Sequence, residues 1–273
     1  VLFVAHRAEI LLQAEATFQR VFPKAQIGRY QGNERDTHAD MLFASVQTLH
    51  QSHHLAQFDP DAFEYIIIDE FHHAAAGTYR RLLQHFAPTF LLGLTATPDR
   101  ADQANILSLC DDNLVYSADL FDGIRASLLC PFHYYGILDE TIDYQSLPWR
   151  NRRFEEQALE NQLATRGRAR HNLREWRDKA GQRTLAFCGS RRHADFMADY
   201  FQRAGISAVS VHGTSATSRD EAIEHLTNGR LAVVFSVDLF SEGVDIPAVD
   251  TILLLRPTES PVLFLQQIGR GLR

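Results

Sequence analysis

The chain has 273 residues, 45% hydrophobic and 22% charged, a length that suits two domains and a composition that excludes disorder as the main state. No apolar stretch approaches the roughly 18 residues that would cross a bilayer. The three cysteines Cys110, Cys130 and Cys188 form no C-x-x-C pair and cannot be matched evenly, so neither a disulfide framework nor a zinc cluster is supported and a reducing, cytoplasmic setting fits best. Net charge is -7 but uneven: residues 1–130 hold 9 basic and 16 acidic side chains, and residues 131–273 hold 18 of each.

Taken in chain order, short apolar runs alternate with amphipathic stretches. The runs are Val1 to Ala5, Met41 to Ala44, Tyr65 to Ile68, Phe90 to Leu94, Thr184 to Cys188, Ala208 to Val211, Leu231 to Phe235 and Thr251 to Leu255. Strands covered on both faces lose polar alternation, so these runs read as buried parallel strands. Arg7 to Phe22, Thr78 to Phe86, Arg191 to Ala204 and Ser218 to Asn228 supply helical crossovers, which makes the fold class α/β. The poorly periodic stretch from Leu129 to Asn151, with Pro131, Gly136 and Pro148, reads as an interdomain connection. A first domain is expected over 1–132, a linker over 133–154 and a second domain over 155–273. One long helix is expected from Phe154 to Ala180, capped by Gly181. Arg150 to Arg183 holds ten basic groups against five acids, which suits either a solvated helix face or an attraction for phosphates. The chain opens inside an apolar run without an initiator Met or a basic leader and stops at G-R-G-L-R, so both ends read as cut.

The chemistry-bearing residues follow the strands. In Y-I-I-I-D-E-F-H-H (65–73), Asp69 and Glu70 come directly after a buried strand, where open parallel sheets bind their ligands. Adjacent carboxylates in one crevice repel unless they share a cation or a proton, which suits Mg²⁺ with bound phosphates; an ordinary strand exit with surface acids would look the same. L-L-G-L-T-A-T-P (91–98) places Thr95 and Thr97 after another strand, and F-S-V-D-L-F-S-E-G-V-D-I-P (235–247) places Gly243 and Asp245 after a third. In Q-Q-I-G-R-G-L-R (266–273), Gln266, Arg270 and Arg273 have the spacing Q-x-x-G-R-x-x-R. Ser260 and Pro261 look like the N-cap and first turn of the helix that carries them, so the arginines also suit a helix C-terminus. His50, His53 and His54 lie close in sequence, but no carboxylate or cysteine completes a metal site.

In this order the segments resemble motifs II, III, V and VI of the superfamily 2 helicases of the DExH type. V-L-F-V-A-H-R, F-A-S-V-Q-T-L (43–49) and L-A-F-C-G-S (185–190) resemble motifs Ia, Ib and IV. The wording A-H-R, I-I-D-E-F-H-H and L-F-L-Q-Q-I-G-R-G-L-R is similar to bacterial DEAD/DEAH-box DNA helicases of the type III restriction Res-subunit branch. The resemblance implies two tandem RecA-like domains with parallel sheets, ATP and Mg²⁺ as cofactors, and a helicase or translocase that acts on nucleic acid, DNA more than RNA. By that resemblance Asp69 would hold Mg²⁺ through water and Glu70 would activate the attacking water. His72 would couple the domains, and Arg270 and Arg273 would be arginine fingers whose use requires domain closure. Gly243, Asp245, Gln266, Thr95 and Thr97 would line or sense the nucleotide. His6, Arg7, Ser45, Gln47, Thr48, Ser190, Arg191, His212 and Gly213 would grip a nucleic-acid backbone without reading bases; Arg7 and Arg191 equally suit the start of solvated helices. No membrane partner is expected, and an attached nuclease or accessory domain in a longer parent chain stays open.

One family element is not in these residues. Neither Lys24 nor Lys179 follows the glycines of G-x-x-x-x-G-K-[ST], and G-R-Y-Q-G (28–32) lacks the lysine and hydroxyl that cradle phosphates. The family places that loop before motif Ia, so the first domain reads as truncated at its N-terminus, inactive alone but active in its parent. A scaffold that binds nucleic acid without hydrolysis, or an RNA helicase, are the other readings.

Overall fold

The computed structural model describes all residues except 75, 96–103, 151–152, 238, 241–245, 259 and 273, and leaves out the side chains of 104, 105, 150, 153 and 262. Contacts divide the chain into two compact units, residues 1–117 and 118–273.

The first unit is built on a five-stranded parallel sheet of β1 (Leu2–Ala5), β2 (Ile27–Tyr30), β3 (Met41–Ser45), β4 (Tyr65–Ile68) and β5 (Phe90–Gly93), in the order β2-β3-β1-β4-β5. Side chains alternate across a strand, and both faces are apolar. Leu2, Val4, Leu42, Ala44, Ile66 and Ile68 enter one core with Leu49, Tyr79 and Leu82. Phe3, Ala5 and Phe43 face α1 (Ala8–Val21) through Ile10 and Leu11, with Phe18 edge-on to Phe43 at 5.7 Å. Each Val, Leu, Ile or Phe among these removed from water contributes about 1.5–3 kcal/mol, so double-sided burial, not local propensity, fixes these short strands. Two one-turn helices, α2 (Val46–Leu49) and α3 (Ser52–Leu55), and then α4 (Gly77–His85) complete the cover. The chain leaves β1 to build β2 and β3 on one side, then crosses to β4 and β5 on the other. The carboxyl ends of β1 and β4 therefore lie side by side at the switch point, with Val4 paired to Ile68.

A turn of helix, α5 (Ala104–Leu107), closes the first unit, and α6 (Leu120–Arg125), with Asp119 and Asp122 in a reciprocal capping box, opens the second. The second unit holds a hairpin, β6 (Trp149–Arg150) with β7 (Arg153–Phe154), then α7 (Glu156–Leu163) and α8 (Arg166–Lys179). Its sheet contains β8 (Thr184–Phe187), β9 (Ala208–Val211), β10 (Val233–Ser236) and β11 (Thr251–Leu254), all parallel in the order β11-β8-β10-β9. The crossovers are α9 (Arg191–Arg203) and α10 (Arg219–Thr227), and α11 (Pro261–Gly269) follows the last strand. Ala186, Val233 and Phe235 pack under α8 and α9, while Leu185, Phe187 and Val234 pack against α10.

Several features depart from the sequence reading. The expected helix over 154–180 is two helices, because Ala164 leaves the helical region (φ -92°, ψ 55°) and Thr165 starts a new one by accepting from Arg168 N. Gly181 is not its cap; Ala180 is, and Gly181 lacks a side chain because a Cβ there would lie 2.5 Å from Asp250 Oδ1. Residues 118–132 belong with the second unit, where Cys130 N donates to Leu272 O at 3.1 Å. The stretch expected as an interdomain linker packs there, with Asp139 paired to Arg168 at 2.8 Å and Ile142 and Leu147 buried against Leu163.

Close packing beneath the end of β5 yields a stability test. A Cβ on Gly93 would meet the Phe71 ring at 2.5 Å, whereas one on Gly167, in the first turn of α8, would meet nothing within 4 Å. Gly93→Ala is expected to cost about 1–3 kcal/mol by overpacking, and Gly167→Ala to be neutral or to gain about 0.4–1 kcal/mol. Urea midpoints for the two variants check this; equal midpoints would show that Phe71 gives way freely.

Candidate functional site

At the switch point of the first unit the chain makes a sharp turn after β4. Asp69 N still donates to Val4 O at 3.0 Å, and Phe71 N donates to Leu94 O at 2.8 Å. Only Asp69 and Glu70 are left to reverse the chain, and Glu70 takes the left-handed conformation at φ 51°, ψ 49°. That conformation costs an L-residue roughly 1–2 kcal/mol. Both carboxylates are half-buried. Burial pushes the Asp69 carboxyl above its ordinary value and the Glu70 charge adds to this, opposed by the Glu70 N–H bond and by nearby His6 and His72; the Glu70 N–H donates to Asp69 Oδ1 at 2.9 Å.

His72 is buried, with Nδ1 3.2 Å from Glu70 Oε2 and 3.2 Å from Thr95 Oγ1. The hydrogen-bond geometry goes to the hydroxyl, and Glu70 Oε2 is left buried without a hydrogen-bond partner among the described residues. His72 thus ties the turn after β4 to the segment after β5, inside one unit. Two adjacent carboxylates, one with its ionised form disfavoured and the other with an orphaned oxygen, form a donor set that a hard cation such as Mg²⁺ fits.

The structure also brings together four residues expected to touch nucleic acid. Gln47 Nε2 donates to His6 O at 2.6 Å, Ser45 Oγ donates to Gln47 Oε1 at 2.6 Å, and Arg7 Nε donates to His6 Nε2 at 3.2 Å. These bonds join the carboxyl ends of β1 and β3. Thr48 sits in α2, half-buried. His73, absent from the sequence reading, stands edge-on to His6 with ring centroids 5.0 Å apart; the doubled histidine after D-E-F was its only signal.

In the second unit the corresponding residues gather around the start of α9. Ser190 caps that helix by accepting from His193 N at 3.1 Å, and its hydroxyl donates to Glu160 Oε1. His212 is buried, its Nδ1 facing Thr214 N at 3.4 Å and its Nε2 held by Asp195 at 2.9 Å. Both side chains are thus engaged inside the unit. Arg191 and Gly213 are exposed, and the Arg191 guanidinium lies so near that a Cβ on Gly213 would be 3.9 Å from it. Asp195 was missed by sequence reasoning, although it stands one helical turn after Arg191. Burial raises its carboxyl, but the Ser210 hydroxyl at 2.5 Å and His212 together hold it below the ordinary value.

Arg270 follows α11, its Nε donating to Gln266 O at 3.2 Å. Gln266 is buried, and its Nε2 has no hydrogen-bond partner among the described residues; the same holds for both polar atoms of Gln267, a residue the sequence reading passed over. Ser260 caps α11 as expected, accepting from Leu263 N at 3.3 Å. Thr97, Gly243, Asp245 and Arg273 lie outside the described residues. No cluster of metal-ligating groups occurs at His50, His53 and His54 or elsewhere among the described residues. No helix among them is long and apolar enough to cross a membrane.

Residues 1–100 match the family model for the type III restriction enzyme res subunit, and residues 168–273 match that for the helicase conserved C-terminal domain. IRC3 of Saccharomyces cerevisiae, which carries the name of an ATP-dependent helicase, is 32% identical across 100% of this chain and 41% of its own length. A 51.5 kDa protein of a Lactococcus phage is 34% identical over 76% of this chain and 46% of its own. The chain thus spans less than half the length of these relatives. Among solved structures, a fragment named for the HsdR subunit of a type I restriction enzyme from Vibrio vulnificus superposes with a TM-score of 0.70 at 24% identity, over 100% of this chain and 49% of that one. The Hef helicase domain of Pyrococcus furiosus gives 0.57 at 13% identity, over 99% and 83%; both likenesses speak for the fold of two RecA-like α/β domains. The chain belongs to the superfamily 2 helicases, in the branch of the type III restriction res subunit.

Proposed function

We propose that this chain is the motor portion of an ATP-dependent DNA helicase or translocase. The carrying observation is the turn after β4, where Glu70 is held in a strained conformation beside Asp69, with one carboxylate oxygen buried 3.2 Å from His72 Nδ1 and without a hydrogen-bond partner among the described residues. Backbone strain persists where the surrounding structure over-determines it and a function retains it. Hydrolysis of ATP needs a group that orients water and takes its proton, and positive charge aimed at the γ-phosphate.

Glu70 is assigned the first task. His72 is a positioning residue: its ring, packed between Glu70 and Thr95, fixes the carboxylate and links it to the loop after β5. Mg²⁺ bound with the triphosphate would neutralise phosphate charge, and Asp69 would hold it through water. Arg270 is assigned the second task, with Arg273 beside it in the motif, and Gln266, Gly243, Asp245 and Thr97 are proposed around the nucleotide.

His6, Arg7, Ser45, Gln47 and Thr48 in one unit, and Ser190, Arg191, His212 and Gly213 in the other, are proposed to hold the nucleic-acid backbone. The hydrogen bonds of Ser190 and His212 suit them to shaping the loops that present Arg191 and the amides near Gly213. Hydroxyls, amides and arginine bind phosphates without sequence preference, as a motor that travels along any sequence requires. DNA as substrate and a cytoplasmic setting rest on the branch wording and on three free thiols.

Three results test this reading. In the full-length protein, Glu70→Gln should lower DNA-stimulated ATP turnover by about a hundredfold or more, the scale of general-base catalysis, with nucleotide affinity kept. Unchanged turnover would remove Glu70 from its role. Arg270→Ala should reduce kcat far more than it raises KM; a change confined to KM would make it an ordinary binding residue. The 273 residues alone, which contain no G-x-x-x-x-G-K-[ST] segment, should release no phosphate from ATP above a protein-free blank, and measurable turnover would contradict this.

A further inference from the structure

An open cavity of about 1030 Å³ lies within the second unit, between α8, the outer strand β11 and the extended segment 130–139. That segment is anchored at both ends, by Cys130 on Leu272 and by Asp139 on Arg168. None of the residues assigned to ATP or to nucleic-acid backbone lines this cavity.

Its floor is one turn of α8. Arg168 and Asn172 are 5% and 8% exposed, and Arg168 Nη1 and Asn172 Nδ2 have no hydrogen-bond partner among the described residues. His171 stands between them. Its Nδ1 lies 3.2 Å from an Arg174 nitrogen and so accepts, which puts the ring proton on Nε2, also buried and without a partner. All three orphaned groups are donors. A buried donor left unmade costs about 1–3 kcal/mol, and it is matched by a ligand that brings acceptors.

The walls narrow the class of ligand. Tyr134 and Tyr135, 65% and 56% exposed, and Trp176 supply flat apolar faces. The Tyr134 ring stands edge-on to Phe264 at 6.3 Å, and Lys179 Nζ lies 5.9 Å from the Tyr135 centroid. Charge does not favour a phosphate: Arg168 is paired with Asp139 and Lys179 with Glu175, and Asp250 adds an acid already bonded to backbone N–H groups. Residues three and four apart on a helix have Cβ atoms about 5–6 Å apart, so the three donors share one turn of α8. A planar ring with carbonyl acceptors on one edge fits both the cluster and the aromatic faces.

We infer that this cavity binds a carbonyl-bearing nucleobase such as uracil, thymine or guanine, with its carbonyl acceptors on Arg168, His171 and Asn172 and its face against the exposed Tyr134 ring. The source is either a free nucleoside or a base turned out of a strand. This does not rest on the assignment of ATP hydrolysis, so its failure leaves the motor reading standing.

The test uses Trp176 as reporter in a Trp149→Phe background, since the chain has two tryptophans. Uridine and a short oligouridylate are each expected to quench it saturably if both sources are admitted. A response to the nucleoside alone identifies a free ligand, and a response to the oligomer alone a base extruded from a strand. Adenosine, without a carbonyl, should bind roughly tenfold or more weakly, the scale of a lost hydrogen bond to a charged donor. Asn172→Leu and Tyr134→Ala should each weaken binding to a similar degree; Tyr134 is exposed, so its removal keeps the test valid should the buried substitution disturb the fold. Absence of saturable quenching with uridine, thymidine, guanosine and the oligomer, equal affinity for adenosine, or unchanged binding in Tyr134→Ala would overturn the inference.

Discussion

The acidic site depends on one close contact, the ring of Phe71 lying over a residue that has no side chain, Gly93. With that ring seated and its N–H bonded to Leu94 O, the chain has two residues in which to turn back from β4. Asp69 cannot absorb the turn, because its N–H still completes the pairing with β1. The reversal falls on Glu70, the position at which a left-handed backbone is least welcome for a long acidic side chain. Glycine or asparagine would hold this turn at lower cost, so the turn alone does not account for glutamate. The role proposed for Glu70, a carboxylate set at the carboxyl end of β4 and held against His72, does account for it.

The second unit solves the same problem by different means. Its equivalent loops are set by side chains spent on the fold itself. Ser190 caps α9, His212 is clamped between Asp195 and the Thr214 turn, and Asp195 is in turn held by Ser210. Such local bonds fix loops as firmly as a sheet ladder does, and they leave the exposed Arg191 and the backbone around Gly213 as the groups presented outward. A polar residue at a strand end can therefore matter through the loop it shapes without touching a ligand.

How much of this was legible in the sequence follows from burial. Eight strands were readable because double-sided cover makes them continuous apolar runs, as in Y-I-I-I and V-V-F-S. The strand β2 was not, since I-G-R-Y carries Arg29 outward to a paired contact with Glu15 at 2.6 Å, and a Cβ on its Gly28 would lie 2.8 Å from Ala39 Cβ. The break at Ala164–Thr165 was hidden because both flanking segments have helical composition and the signal is a single capping hydroxyl. The packing of the expected linker was hidden for the opposite reason: Pro, Gly and polar residues mark a segment without regular structure, but Ile142, Leu147 and Asp139 are enough to hold it on its neighbour. For the candidate site, motif order singled out Asp69, Glu70 and Arg270. Tertiary neighbours such as Gly93, Asp195 and Gln267 left no periodic trace.

Helix α8 shows how a charged composition can serve two ends at once. Its Ala169, Leu173 and Trp176 join the core beneath β8 and β10, while Arg168 reaches past them to bond Leu255 O at 2.9 Å and Asp139 at 2.8 Å. The buried guanidinium is felt around it. His193 is pushed down to about 3, by burial first and by Arg168 second, so that ring stays neutral at physiological pH and the arginine is the charged group of this layer. An ion pair in such a place adds little net stability over well-packed apolar side chains. What it does supply is position, because its planar fork joins a strand end and the segment 130–139 through directed bonds. One nitrogen of that fork remains unmatched, together with its neighbours on the same turn, and an arrangement that orders a cavity wall while leaving donors turned inward is one in which structural and recognition roles are carried by the same residues.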